Sequence, residues 1–237
     1  MDKPFEFKQF TVHQDRCAMK IGTDGVLLGA WAPLSHHPFS ILDIGTGTGV
    51  IALQLAQRST ATLIDALEID PDAYEQSVEN FERSPWGDRL FCYHASLDEF
   101  TEDPEEPYDL IVSNPPFYSA NYKTSDIARD TARFNDALPF SELIASVSVL
   151  LAQDGLFATI IPYSEEAAFI ALASEVNLFP NKICRVRGTA NAPIKRSMLA
   201  FSFRKKPAIL EALTIETERH NYTEDYKNLV SDFYLKM

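Results

Sequence analysis

Two stretches of this 237-residue chain carry residue types whose spacing could do chemistry: Asp43-Ile44-Gly45-Thr46-Gly47-Thr48-Gly49 and Ser113-Asn114-Pro115-Pro116-Phe117. In the first, glycines at alternate positions let the backbone turn through positive φ and come within contact distance of a ligand. The G-x-G-x-G spacing behind an aspartate differs from the G-x-G-x-x-G of dinucleotide folds, and the loop lacks the Lys-Ser/Thr ending of a P-loop. Glu68, 23 residues beyond Gly45, stands where an acid would accept hydrogen bonds from both hydroxyls of a ribose. Asp43 is either the partner of a ligand ammonium group or a brace that accepts N–H bonds from the loop. Gly45, Thr46, Gly47, Gly49, Asp43 and Glu68 are therefore candidate ligand-binding residues, joined by Ser96 and Leu97 just after the run LFCYHA. Asp70 could share either acidic role, although Asp70-Pro71 reads more simply as a helix N-cap.

The second stretch is a stiff tip. Each proline pushes the residue before it into an extended conformation and removes a backbone donor, leaving carbonyls outward. The Asn114 side-chain oxygen and the Pro115 carbonyl become fixed acceptors. An exocyclic aromatic amine has its lone pair delocalised into the ring and is a poor nucleophile. Two acceptors on its hydrogens favour the pyramidal, more nucleophilic form, and fixed orientation supplies much of the rest. Pro116 stiffens the tip, and Phe117 would stack on the base.

These residues need a scaffold that brings them to one edge. FSILDI, ATLIDALEI, LFCYHA, YDLIVS and GLFATIIP read as short buried strands. GVIALQLAQR, PDAYEQSVENFER and SELIASVSVLLAQDG carry helical spacing, the second with proline in its first turn and the third closed by a glycine C-cap. The alternation means a parallel sheet with helices on both faces, an α/β architecture. KICRVRG and MLAFSFRK suggest a late antiparallel pair joined by a longish loop, GTANAPIKR. Tyr226, Leu229, Val230 and Phe233 sit at helical spacing in the tail.

With both motifs in this context, the chain resembles the class I amino-methyltransferases. That resemblance covers residues 40–205 and implies a single Rossmann-like domain whose seven-stranded, mostly parallel sheet ends in a C-terminal antiparallel hairpin. It implies S-adenosylmethionine as cofactor and S-adenosylhomocysteine as product. The preamble, Phe7-Lys8-Gln9-Phe10 and then Met19-Lys20-Ile21-Gly22-Thr23-Asp24-Gly25-Val26-Leu27-Leu28-Gly29-Ala30-Trp31, is similar to the bacterial tRNA(Val) adenine N(6)-methyltransferase family, which modifies the adenosine beside the anticodon. The resemblance divides the chain into residues 1–38, which cap the cofactor pocket, and 39–237, the methyltransferase domain. Lys20, Thr23 and Asp24 become cofactor-pocket candidates. Val26, Leu27, Leu28 and Trp31 suit a helix packed on the sheet. Arg129 could contact RNA or be an ordinary surface arginine at a helix start.

Composition bounds the partners. Net charge is −13, which alone argues against a polyanion. Yet residues 182–206 hold eight basic side chains and no acidic one, leaving −21 on the rest. Lys195 and Arg196 in that stretch are the candidate RNA contacts, and a flipped adenosine would enter at Asn114. Three scattered cysteines read as reduced thiols of a cytoplasmic protein. The five histidines show no metal-ligand spacing, and His36-His37 reads as a turn. No apolar stretch of about 18 residues and no apolar signal core stand in the sequence. A monomer acting on tRNA, with no metal, DNA or membrane partner, is the expectation. Methylation of a protein glutamine amide or of a ribosomal RNA guanine amine are rival chemistries for Asn-Pro-Pro. A non-catalytic adaptor is the rival of another class.

Overall fold

Short apolar runs that end at turn residues become strands here, and each amphipathic run between them becomes a helix. The computed structural model describes residues 3–102, 106–116 and 138–236. A small antiparallel hairpin, β1 (Phe5–Glu6) and β2 (Thr11–Val12), comes first. Then follow α1 (Thr23–Trp31), β3 (Ser40–Ile44), α2 (Val50–Arg58), β4 (Leu63–Glu68), α3 (Pro71–Glu82) and β5 (Leu90–His94). Next are α4 (Leu97–Glu102), β6 (Tyr108–Ser113), α5 (Phe140–Leu150), β7 (Leu151–Pro162), a 3-10 turn (Tyr163–Glu165) and α6 (Glu166–Glu175). The remaining elements are β8 (Phe179–Thr189), β9 (Ile194–Ser202), β10 (Ile209–Glu218), β11 (Asn221–Tyr222) and α7 (Glu224–Val230).

The main sheet runs β11-β10-β8-β9-β7-β6-β3-β4-β5. Strands β5, β4, β3, β6 and β7 are mutually parallel, and β9 runs antiparallel to both β7 and β8. Helices α1, α2, α3 and α7 cover one face and α4, α5 and α6 the other, each over its own apolar core. The expected architecture is thus present, with helices on both faces and a late antiparallel hairpin.

Three expectations need correction. The sheet has nine strands among the described residues: β10 adds to β8 in parallel and β11 to β10 in antiparallel, beyond the seven expected. Only Leu213 of β10 is buried, so that strand carries no apolar run to mark it. Gly155 is not a helix C-cap. Helix α5 stops at Leu150, the Leu151 N–H closes on Val147 O, and Gly155 lies inside β7. The β8–β9 connection is also short, because Ile194, Lys195 and Arg196 already belong to β9.

Asp70 caps α3, accepting the Ala73 N–H at 2.8 Å with Pro71 in the first turn. Near the two termini, the Lys8 N–H donates to Phe233 O at 2.8 Å and Phe7 bridges Tyr234. The rings of Phe5 and Phe7 lie 6.1 and 5.9 Å from that of Tyr234. Among the described residues no helix is long and apolar enough to cross a membrane.

Candidate active site

Strand register brings the two motifs to one place. Ile44 of β3 pairs with Leu67 of β4 on one side and Ser113 of β6 on the other. The next residues, Glu68, Gly45 and Asn114, therefore leave the carboxyl edge of the sheet as one row. Neighbouring strands lie about 4.8 Å apart, so the acid and the asparagine flank the glycine loop. Open α/β sheets bind ligands at this edge.

The loop is held from beneath. Gly45, Gly47 and Gly49 have φ of 70°, 57° and 79°, in the left-handed region that favours glycine. A Cβ at Gly45 or Gly47 would meet nothing within 4 Å, so this side of the loop faces open space. At Gly49 a Cβ would come within 2.6 Å of Phe81 Cε1, so that glycine serves packing. Asp43 is 0% exposed. Its Oδ2 accepts the Thr46 hydroxyl at 2.7 Å and the Ala52 N–H at 3.3 Å, and its Oδ1 has no hydrogen-bond partner among the described residues. The geometry makes Asp43 a brace of the loop. Burial pushes its carboxyl up to about 7, while those two donors pull it down.

Glu68 is 9% exposed. Its Oε2 accepts the Gly47 N–H at 2.8 Å, and its Oε1 accepts from Ile69 and Asp70 at 2.9 and 3.0 Å. Burial raises its pKa above the usual range, opposed by those N–H groups. A carboxylate offers about four acceptor sites, so Glu68 keeps one for a ribose hydroxyl while it fixes the loop. Open space against two glycines, a buried acid below and a partly used carboxylate beside them fit a nucleoside carrying a cationic amino-acid tail.

Sequence reading missed Asn80. It is fully buried on α3 and joins three segments: its Nδ2 donates to Thr48 O and to His13 O, both at 2.9 Å, and its Oδ1 accepts the His13 N–H. Gln76, Ser77 and Asn80 share the buried face of α3 with Ala73 and Phe81. Polar residues at apolar spacing are the signal that could have found it. Arg16 completes the tie, with ion pairs to Glu75 and Glu79 at 3.2 and 2.7 Å. Residues 13–17 are thereby clamped beside the glycine loop. Cys17 there is buried, and its thiol is pushed up to about 12 by that burial and by the charges of Glu68, Asp70 and Asp15.

Asn114 is half-buried and Pro115 buried, at the tip of β6. Asn114 lies against α1: a Cβ on Gly25 would be 4.0 Å from Asn114 Nδ2 and 3.3 Å from Val50 Cγ1. Ser113 anchors the tip by donating to Ile44 O at 3.0 Å. Pro116 is half-buried, whereas Phe117 and Arg129 lie outside the described residues. Lys20, on the segment leading into α1, and Thr23, its first residue, are exposed.

The remaining candidates have surroundings of their own. Ser96 caps α4, its N–H and hydroxyl both reaching Glu99 Oε2 at 3.0 Å, and Leu97 is buried in the core beneath. Arg196 is not free for phosphate, because its Nε pairs with Asp24 Oδ2 at 2.7 Å and so ties β9 to α1. Lys182, Arg185 and Arg204 pair with Glu211, Glu166 and Asp154. Four of the eight basic residues of that stretch thus face acids within the chain. Lys195 is exposed. Among the described residues no group of three or more His, Cys, Asp or Glu side chains could hold a metal ion.

Residues 26–137 match the family model described as methyltransferase small domain. The chain is 66% identical to the tRNA1(Val) (adenine(37)-N6)-methyltransferase of Christiangramia forsetii, over 100% of this chain and 99% of that one. A protein of the same name from Bacteroides fragilis is 47% identical over 100% of both chains. Among solved structures, a predicted O-methyltransferase from Agrobacterium tumefaciens superposes with a TM-score of 0.67 at 17% identity, covering 89% of this chain and 96% of that one. The ribosomal protein L11 methylase of Lactobacillus delbrueckii subsp. bulgaricus gives 0.54 at 20% identity, over 77% of each chain. These two share the fold.

Proposed function

Because the chain belongs to the family of tRNA1(Val) (adenine(37)-N6)-methyltransferases, we propose that its row of strand ends performs that family's reaction. The protein is an S-adenosylmethionine-dependent methyltransferase that modifies the exocyclic N6 amine of adenosine 37 in tRNA1(Val). The observation that carries the residue roles is the shared register of Glu68, Gly45 and Asn114 on three adjacent strands. It sets the acceptor for a ribose and the acceptor for an amine on either side of the open loop, about 10 Å apart across two strand spacings.

S-adenosylmethionine, when bound, supplies an electrophilic methyl group on a sulfonium. Glu68 orients the ribose, Gly45 and Gly47 leave room for the tail, and Asp43 and Thr46 keep the loop in shape. Thr23 and Lys20 border the pocket on the α1 side. Asn114 Oδ1 and the Pro115 carbonyl accept the amine hydrogens, direct its lone pair at the methyl and exclude water from that line. No general base is required, because the methylated amine sheds its proton after attack. Pro116 keeps the tip extended, and Phe117 is assigned the stacking face for adenine. We read the protein as a monomer, because these groups all belong to one chain, and as cytoplasmic, in keeping with a tRNA substrate.

The test is transfer of a labelled methyl group to unmodified tRNA, ribosomal RNA and protein pools, with Asn114→Ala alongside. The expected product is N6-methyladenosine in tRNA. The variant should lose on the order of 100-fold or more in kcat with cofactor Kd unchanged. Label only in ribosomal RNA or protein would overturn the substrate, and an equal loss of cofactor affinity would make Asn114 structural.

A further inference from the structure

We propose that Tyr163 is a stacking platform for a nucleobase flanking the target adenosine. The proposal rests on the tRNA reading above. Tyr163 opens the 3-10 turn directly after β7. Strand β7 lies beside β6, with Thr159 paired to Ser113, the residue before Asn114. Tyr163 is four residues past Thr159, so it stands farther out on the same carboxyl edge, by roughly 3.3 Å per strand residue. The amine-binding tip and Tyr163 therefore both belong to the carboxyl edge of the sheet.

The ring is both exposed and fixed. Tyr163 is 38% exposed, whereas Phe157, Ile160 and Ile161 of the preceding strand are fully buried. The Arg185 guanidinium lies over the ring at 5.5 Å from its centroid. That guanidinium is itself clamped: Nε and Nη2 reach both oxygens of Glu166 at 2.7 to 3.2 Å. Glu166 is 7% exposed and also accepts the Ser197 hydroxyl. The ring is held out at the edge by a charge network that costs ordering entropy before any ligand arrives, which is how a preorganised binding surface is built.

The chemistry of the occupant follows. A flat, partly exposed π surface suits a nucleobase, and exposed Lys195, on the neighbouring strand beside Arg196, the register partner of Pro162, offers a cation for its phosphate. Bases in a single-stranded loop are unstacked and available to such a ring.

The experiment compares Tyr163→Ala and Tyr163→Phe with the wild type, measuring KM and kcat for tRNA, Kd for S-adenosylmethionine, and Tm. Tyr163→Ala should raise the tRNA KM on the order of tenfold, within the range for losing one stacked base. Tyr163→Phe, which keeps the ring, should stay near wild type, and cofactor Kd and Tm should hold in both. An unchanged KM in Tyr163→Ala, or equal damage from Tyr163→Phe, overturns the platform while leaving tRNA methylation standing. A loss that follows Tm and cofactor Kd makes the residue structural and also overturns it. No transfer to tRNA by the wild type would remove the underlying reading and this proposal together.

Discussion

Asp43 places a carboxylate where water does not reach it, and the consequence should be visible in the pH dependence of folding. Its carboxyl is raised from an ordinary 3.8 to about 7 by burial. Below about pH 4 both folded and unfolded chains hold the proton; between about 4 and 7 only the folded chain does. The stability owed to this group is therefore full at low pH and is lost as pH rises through the folded value. The difference in Tm between wild type and Asp43→Asn, followed from pH 4 to 8, should shift steadily against the wild type and level off above about 7. A difference that stays constant would count against this account. Glycine spacing and the paired prolines were legible as chemistry because they act on the local backbone. The two roles open to Asp43 were not separable in sequence, since depth below a loop is set by the strands on either side. Asn80 was missed for a related reason: its partners, His13 and Thr48, lie 67 and 32 residues away.

At the scale of elements, the strand-to-helix turn between β3 and α2 contains glycines that do different work. Gly49→Ala should cost about 2–4 kcal/mol in urea unfolding, from left-handed backbone strain plus a clash with buried Phe81. Gly47→Ala meets no atom within 4 Å and should cost only about 1–2 kcal/mol of strain. It should nevertheless weaken S-adenosylmethionine binding by about tenfold or more, equal to ~1.4 kcal/mol. If the two variants lose stability equally, or Gly47→Ala binds cofactor normally, the division is wrong. The central strands β3, β4, β6 and β7 announced themselves as continuous apolar runs because helices cover both their faces. Strand β10 did not, because it is an outer strand with one buried residue, and its place depends on β8 accepting it in parallel. Helix α5 ended early for a similar reason: Leu151 gains more as the start of β7, beside Tyr108 of β6, than as another helical turn.

For the molecule as a whole, an overall charge of −13 must be reconciled with a polyanionic substrate. The basic stretch offered an answer that the fold halves, since Lys182, Arg185, Arg196 and Arg204 are engaged by acids. Lys195 and Arg196 should accordingly part ways. Lys195→Glu should weaken tRNA binding and reduce the slope of log K against log salt by about one, with Tm unchanged. Arg196→Glu should lower Tm as well, because it sets a second carboxylate against Asp24 at the start of α1. Identical behaviour of the two variants would refute the distinction. The contact between the Phe5–Phe10 hairpin and Tyr234 bears on how the chain is made. Phe10 meets Trp86, but Phe5 and Phe7 also pack on Tyr234, so that side of the hairpin stays wet until residue 234 has been made. The β3–β7 layers can form on the nascent chain, but the aromatic seam closes only once Tyr234 has emerged. Nascent chains stopped before Phe233 should be nicked by protease near residue 8 and protected there once residues 233 and 234 have emerged.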